Sequence, residues 1–358
     1  MAQAAKRRNN VLPTSSFDTF FACTIILAAA LIATGFVTST MQVRIDNTKS
    51  INEQSYLQAI ADHIVTSPGT PSNWGTSGQT PADFGLAASH PAFPYELDID
   101  KVTRLNSLNN YSISYFDMET ASKLNNIALG IAVSQIMNVN IQQSSSSTTS
   151  SGESFTLSIS TSIDSEPASA SLNCYIVANN YLNNITGSTS DAGLGTVTVQ
   201  IPRAATSAMI IVFARASFDD RITSYAIYNL ENSTQETVSS SGFLTLSPLD
   251  YKLNFSINSS DLTIQNGYIF SYSYQQNLSY KPGAVQCPIP EIVDKSPLII
   301  VVYGVNNGAY FQEWVSYPQV PFNAGSDFSG SQRNVFTYTV TVNGVLYKLE
   351  ISFGGVAS

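Results

Sequence analysis

The sequence is short of charge. Only 11% of its 358 residues are Asp, Glu, Lys or Arg, well below the usual quarter or so, and Ser, Thr, Asn and Gly supply the polar surface instead. The 16 basic residues are outnumbered by 25 acidic ones, for a net charge of −9. That balance excludes nucleic acid, whose binding needs a basic footprint. Histidine is scarcer still, with only His63 and His90, and neither has a nucleophile beside it in sequence. The motifs H-E-x-x-H, C-x-x-C and G-x-S-x-G are missing, as are a glycine-rich phosphate loop and a dinucleotide fingerprint. Many carboxylates could make a glycosidase-like pair, but nothing singles out two. No catalytic, cofactor-binding or metal-ligating residue is assigned, no cofactor is expected, and the chain does not read as an enzyme.

Cysteine is also sparse, with three in the chain. Cys23 lies in an apolar run, which leaves Cys174 and Cys287 as one pair. They form either a disulfide or two buried thiols, and the bridge is expected if the region faces an oxidising compartment.

What the chain does have is a long apolar stretch. Residues 19–37, TFFACTIILAAALIATGFV, run 19 positions without a charge, enough to cross a hydrocarbon core as a helix at about 1.5 Å per residue. Asp18 at its entrance suits the positive end of a helix. Lys6, Arg7 and Arg8 precede it, so the positive-inside rule keeps residues 1–16 cytoplasmic and sends everything after the span outside. A cleaved signal peptide would have a shorter apolar core and a small-x-small cut site, and a soluble core helix would show a polar face. A retained single-pass anchor over 17–38 is therefore expected, with the bulk of the chain outside the cell membrane. Six N-x-Ser/Thr sequons, at Asn110, Asn184, Asn232, Asn254, Asn258 and Asn277, all fall on that outer side as candidate glycosylation sites.

Beyond the anchor, 39–66 reads as a helical stem. Tyr56, Leu57, Ile60, Ala61, Ile64 and Val65 share one helical face, and Ser67-Pro68-Gly69 ends the helix. Residues 67–142 hold a proline- and glycine-rich loop, a helix and a strand. Trp74 is expected to pack the loop onto the body, with ligand stacking the lesser alternative. Glu96, Asp98 and Asp100 alternate as calcium ligands on a strand would, but Lys101 stands where a turn glycine is needed, so a solvated edge is the simpler reading. Asp117 is expected to cap a helix over 117–129 that Gly130 ends, followed by a strand over 133–141. Residues 143–153, QSSSSTTSSGE, read as a flexible Ser/Thr linker.

From 154 the period is two. Strands recur over 154–240 and again over 241–358, with turn signals every 8–15 residues, as in antiparallel β-sandwiches. AMIIVFARA reads as a central buried strand. Asn306-Asn307-Gly308 marks a hairpin, and Asn343-Gly344 marks a firmer one of the two-residue type. In the latter, Val342 should oppose Val345, Val340 Tyr347, Tyr338 Leu349 and Phe336 Ile351. A slip by one residue would bury Lys348 and Glu350.

The expected fold class is mainly β, with an N-terminal α-helical transmembrane anchor and stem and two antiparallel β-sandwich domains. The run DAGLGTVTVQIP resembles a strand-turn-strand of immunoglobulin-like domains. The first 142 residues, with Lys6-Arg7-Arg8, Asp18, the helical stem, AIADHIVTSPGTPSNWG, FGLA at 84–87 and LGI at 129–131, resemble archaeal pilin-like (pseudopilin-like) membrane proteins of the type IV filament superfamily. So does the hairpin after Arg333. Placing Asp18 at the acidic fifth position of that family would need a cut between Pro13 and Thr14, which departs from its processing pattern. The resemblance implies a surface protein held by its helix, with structural or adhesive work as part of, or anchor for, a pilus-like assembly. Its partners would be the membrane, filament subunits or its own copies through the helix. A monomeric module binding a glycan or solute is the alternative; a membrane-tethered hydrolase is a more distant one.

Overall fold

The structure is a computed structural model. It describes residues 15–124, 127–148, 152–178, 181–203, 205, 207–231, 243–291, 294–328 and 333–354, except the side chains of 15–19, 43–52, 207 and 231. The chain divides into two units, residues 1–57 and 58–358. Helix α1 (Ser15–Thr66) contains the first unit's described residues and enters the second. Within it, Phe20–Gln42 is 23 residues long with a mean hydropathy of 2.4, long and apolar enough to span a membrane. Every side chain from Phe20 to Gln42 is exposed in the isolated chain. Thr24 and Thr34 return their hydroxyls to the carbonyls of Phe20 and Ala30, so the segment carries almost no unsatisfied polar group.

The second unit is mainly β. It begins with the last turns of α1, where Ala61, Ile64 and Val65 are buried at the spacing of one helical face. Short elements follow: α2 (Trp74–Ser77), β1 (Glu96–Leu97), α3 (Ile99–Thr103) and α4 (Tyr115–Ala121). Strands then run β2 (Ala128–Gln135), β3 (Met137–Thr148), β4 (Gly152–Ile163), β5 (Glu166–Pro167), β6 (Ala170–Ala178), β7 (Tyr181–Thr189), β8 (Leu194–Pro202), β9 (Ser207–Ala216) and β10 (Thr223–Glu231). The remainder are β11 (Leu244–Leu249), β12 (Lys252–Ile257), β13 (Leu262–Phe270), β14 (Gln275–Asn277), β15 (Gln286–Pro288), β16 (Leu298–Asn306), β17 (Ala309–Tyr317), β18 (Phe322–Gly325), β19 (Arg333–Val342) and β20 (Val345–Gly354).

These strands form several sheets, mostly antiparallel. One is ordered β1-β19-β20-β2-β18, another β10-β9-β6-β7, and a third β14-β13-β16-β17. A further sheet joins β3, β4 and β8, and a small one joins β11, β12 and β15. Two cores lie on the two faces of β6 and β9. On one side of β6 and β9, Leu172, Ile176, Ile210 and Val212 meet Leu157 and Val199 of β4 and β8. On the other side, Tyr175, Ile211 and Phe213 meet Phe270, Ile299 and Val301 of β13 and β16. Strand β9 is thus buried on both faces, which is why AMIIVFARA lacks alternation. The expected division at residue 240 falls across the second of these cores, because β6 and β9 precede it and β13 and β16 follow it.

The terminal hairpin has the expected register: Val342 pairs with Val345, Val340 with Tyr347 and Phe336 with Ile351. Asn343 and Gly344 both take positive φ, 47° and 79°, as the tight turn requires. The Asn307-Gly308 turn does the same between β16 and β17.

Other expectations are corrected. Of the expected linker 143–153, residues 143–148 continue β3 and pair with β4, Ser147 opposite Ser154 and Thr148 opposite Glu153, and 152–153 begin β4; 149–151 lie outside the described residues. A run of small polar residues keeps its backbone donors, and ladder bonding holds it without apolar contacts. The helix expected over 117–129 is shorter and starts earlier. Ser114 is its cap, accepting from the Asp117 amide at 3.1 Å while its hydroxyl donates to the Asp117 carboxylate at 2.6 Å. It ends at Ala121, and 128–135 joins the terminal hairpin as β2.

Candidate functional site

The residues singled out from sequence are dispersed. Cys174 and Cys287 are both free and buried, contrary to the expected bridge. Cys174 lies on β6 within the first core, whereas Cys287 on β15 is paired with Leu253 in a different sheet. Burial pushes each thiol up to about 12, so both behave as small apolar residues. Among the sequons, Asn184 and Asn277 are exposed on β7 and β14. Asn110 is exposed and donates to the Ser256 hydroxyl at 2.5 Å. Asn254 is half-buried with its amide on the Ser247 carbonyl at 3.2 Å, and Asn258 is exposed. Asn232 and the side chain of Asp18 lie outside the described residues. Among the described residues, no three of His, Cys, Asp or Glu converge on one point. His63 and Lys123 both reach Asp83 near the surface, at 2.9 and 3.4 Å.

Sequence reasoning missed a buried polar cluster on α3. Asp98 caps this helix, accepting from the amides of Asp100 and Lys101. Asp100, Lys101 and Arg104 are each at most 3% exposed. Lys101 Nζ donates to the carbonyls of Pro68 and Ala87 at 2.8 and 2.7 Å. Arg104 donates to the carbonyls of Tyr111 and Gln79 at 2.8 and 2.9 Å, and to that of Trp74. Trp74, fully buried, donates its indole N–H to the Gly85 carbonyl at 3.0 Å, and the Arg104 guanidinium sits 5.3 Å from its ring centre. The Asp100 carboxylate accepts from the Asp250 amide at 2.9 Å and the Tyr317 hydroxyl at 2.7 Å. Burial raises its pKa to about 6, although both hydrogen bonds oppose that shift. Burial lowers the Lys101 and Arg104 values. The two cations bond backbone carbonyls of a loop that has few ladder bonds of its own. Their chemistry is that of a clamp.

A polar surface of another kind is the outer face of β3, β4 and β8. The sequence alternates, so Ile141, Leu157, Ile159, Val197 and Val199 point into the core and their neighbours point outward. Pairing aligns Asn140 with Ser160 and Leu194, then Gln142 with Ser158 and Thr196, then Thr156 with Thr198. A shallow trough of about 450 Å³ runs over the first two ranks, lined by Asn140, Gln142, Ser158, Ser160, Leu194 and Thr196 among others. No lining side chain is charged. Their polar side chains form no hydrogen bond among the described residues, so their donors and acceptors are open. The alternation was legible in the sequence. The alignment of β8 beside β4 was not, because it depends on pairing across more than thirty intervening residues.

Comparison with known proteins adds little. No protein-family model matches the chain, and no curated protein matches it. Among solved structures, HBP35 of Porphyromonas gingivalis aligns at 12% identity over 52% of this chain and 64% of that protein, with a TM-score of 0.19. The chain spans less than two thirds of HBP35, and a likeness that low carries no argument.

Proposed function

We propose that the chain is a non-enzymatic, membrane-anchored cell-surface protein with a structural or adhesive role, a component of or anchor for a pilus-like surface assembly. The observation that carries this reading is Phe20–Gln42, apolar and exposed along its whole length, beside a unit with its own cores. So long an apolar surface needs a cover, and a bilayer or neighbouring copies of the helix supply one. The basic residues before the span support an outward orientation for the β-rich unit. The buried ionisable groups of α3 are engaged in holding loops, which favours a contact role over catalysis. Immunoglobulin-like sandwiches are the fold reading that goes with this role.

Two measurements test it. Protease treatment of intact cells should remove the β-rich unit, and surface filaments sheared from those cells should contain the chain by mass spectrometry. Full protection until lysis would end the surface role. Digestion without recovery in filaments would end the pilus version alone.

A further inference from the structure

We propose that the outer face of β3, β4 and β8 binds a neutral, hydroxyl-rich glycan chain. This deepens the adhesive reading and rests on it for the biological setting. The trough over Asn140, Gln142, Ser158, Ser160 and Thr196 is of small-molecule size, about 450 Å³. Each of these side chains both donates and accepts, as a sugar hydroxyl does, so the two sets match without stripping water from a charge.

The charge pattern selects against the other ligand classes. A phosphate, sulfate or carboxylate ligand would find no cation in the trough lining, and a basic peptide would find no carboxylate there. The chain carries 25 acidic residues, yet none lines this trough. A neutral polyol is the partner that loses nothing by this. Leu194 supplies the apolar element. It is 63% exposed at the end of the Asn140–Ser160 rank, where the C–H face of a pyranose can cover it while ring hydroxyls reach the neighbouring rank.

The geometry also limits the entropic cost. Neighbouring strands hold the members of one rank about 4.8 Å apart, and successive ranks follow along the strands at roughly 6.7 Å. Ser and Thr have few rotamers to lose on binding. The affinity expected of such a shallow, uncharged site is modest, and a longer chain engaging several ranks gains over a short one.

The test uses the full chain in detergent micelles. Neutral glucan, mannan and galactan oligosaccharides are titrated by calorimetry, with sulfated and uronic-acid glycans as the contrast. Saturable binding of at least one neutral class is expected, with no preference for the acidic ones. A Gln142→Ala/Thr196→Ala double variant should bind at least tenfold more weakly with an unchanged melting temperature, because these side chains hold nothing in the fold. Thr186→Ala, on β7 outside the trough, should bind as wild type. No saturable binding of any neutral glycan, or wild-type binding by the double variant, overturns the proposal. Protease treatment of cells separates the two readings: surface exposure without glycan binding removes this inference alone, and glycan binding by a protein enclosed in the cell removes only the surface role.

Discussion

Asp100 sits where burial and hydrogen bonding oppose each other. Burial wins, and its pKa rises to about 6 from an ordinary 3.8. A raised folded-state value means that the folded chain holds its proton more tightly than the unfolded one. Its contribution to stability is fullest below pH 3.8 and is lost as pH climbs through 6. Replacing Asp100 by Ala orphans the Asp250 amide and the Tyr317 hydroxyl, and should cost about 2–4 kcal/mol in urea denaturation, whereas Asn keeps an acceptor and should cost less than half of that. Glu313 on β17 follows the same sign. Burial lifts it from 4.5 to about 7, so its contribution falls as pH rises from 4.5 through 7. Glu313→Gln should therefore melt close to wild type at pH 5 and higher than wild type at pH 8; an unchanged difference across that range would contradict the assignment. The sequence did not show Asp100 as buried or Glu313 as half-buried. Asp100 follows a polar loop, and what covers it, Tyr317 and the β11–β12 turn, lies some 150 or more residues away in the chain. The cysteines failed for the same reason, since spacing in a chain says nothing of which core each thiol enters.

Elements whose signals are local were readable in advance. The hairpin β19–β20 has a turn that needs positive φ at both central residues, and Asn-Gly provides it. Gly344→Ala, at φ 79°, should destabilise by about 1 kcal/mol, read as a shifted denaturation midpoint with an unchanged slope. The continuous helix to Thr66 was equally clear from its apolar face and the Pro-Gly stop. The misread elements are those decided by remote partners. Residues 143–148 have no apolar face to announce a strand, and ladder pairing with β4 makes them one. The span 122–129 has helix formers, yet 128–135 is taken by the β20 ladder, whose eight paired residues outweigh a few tenths of a kcal/mol of helix propensity per residue.

For the whole molecule, the mainly β architecture followed from the period of two, whereas the way sheets share cores did not. Strands β6 and β9 supply both cores, and a continuous apolar run shows that a strand is covered without showing by what. The account as a whole depends on the first unit, where Phe20–Gln42 carries a mean hydropathy of 2.4 with no buried side chain. Alkaline carbonate extraction of membranes from cells making the full chain tests it most directly. The protein should stay in the membrane pellet, and Leu27→Arg/Ile32→Arg, costing roughly 2.5–3.5 kcal/mol per charge at the centre of a span, should release it. Recovery of the unaltered chain in the carbonate supernatant would contradict the anchor and the surface role built on it.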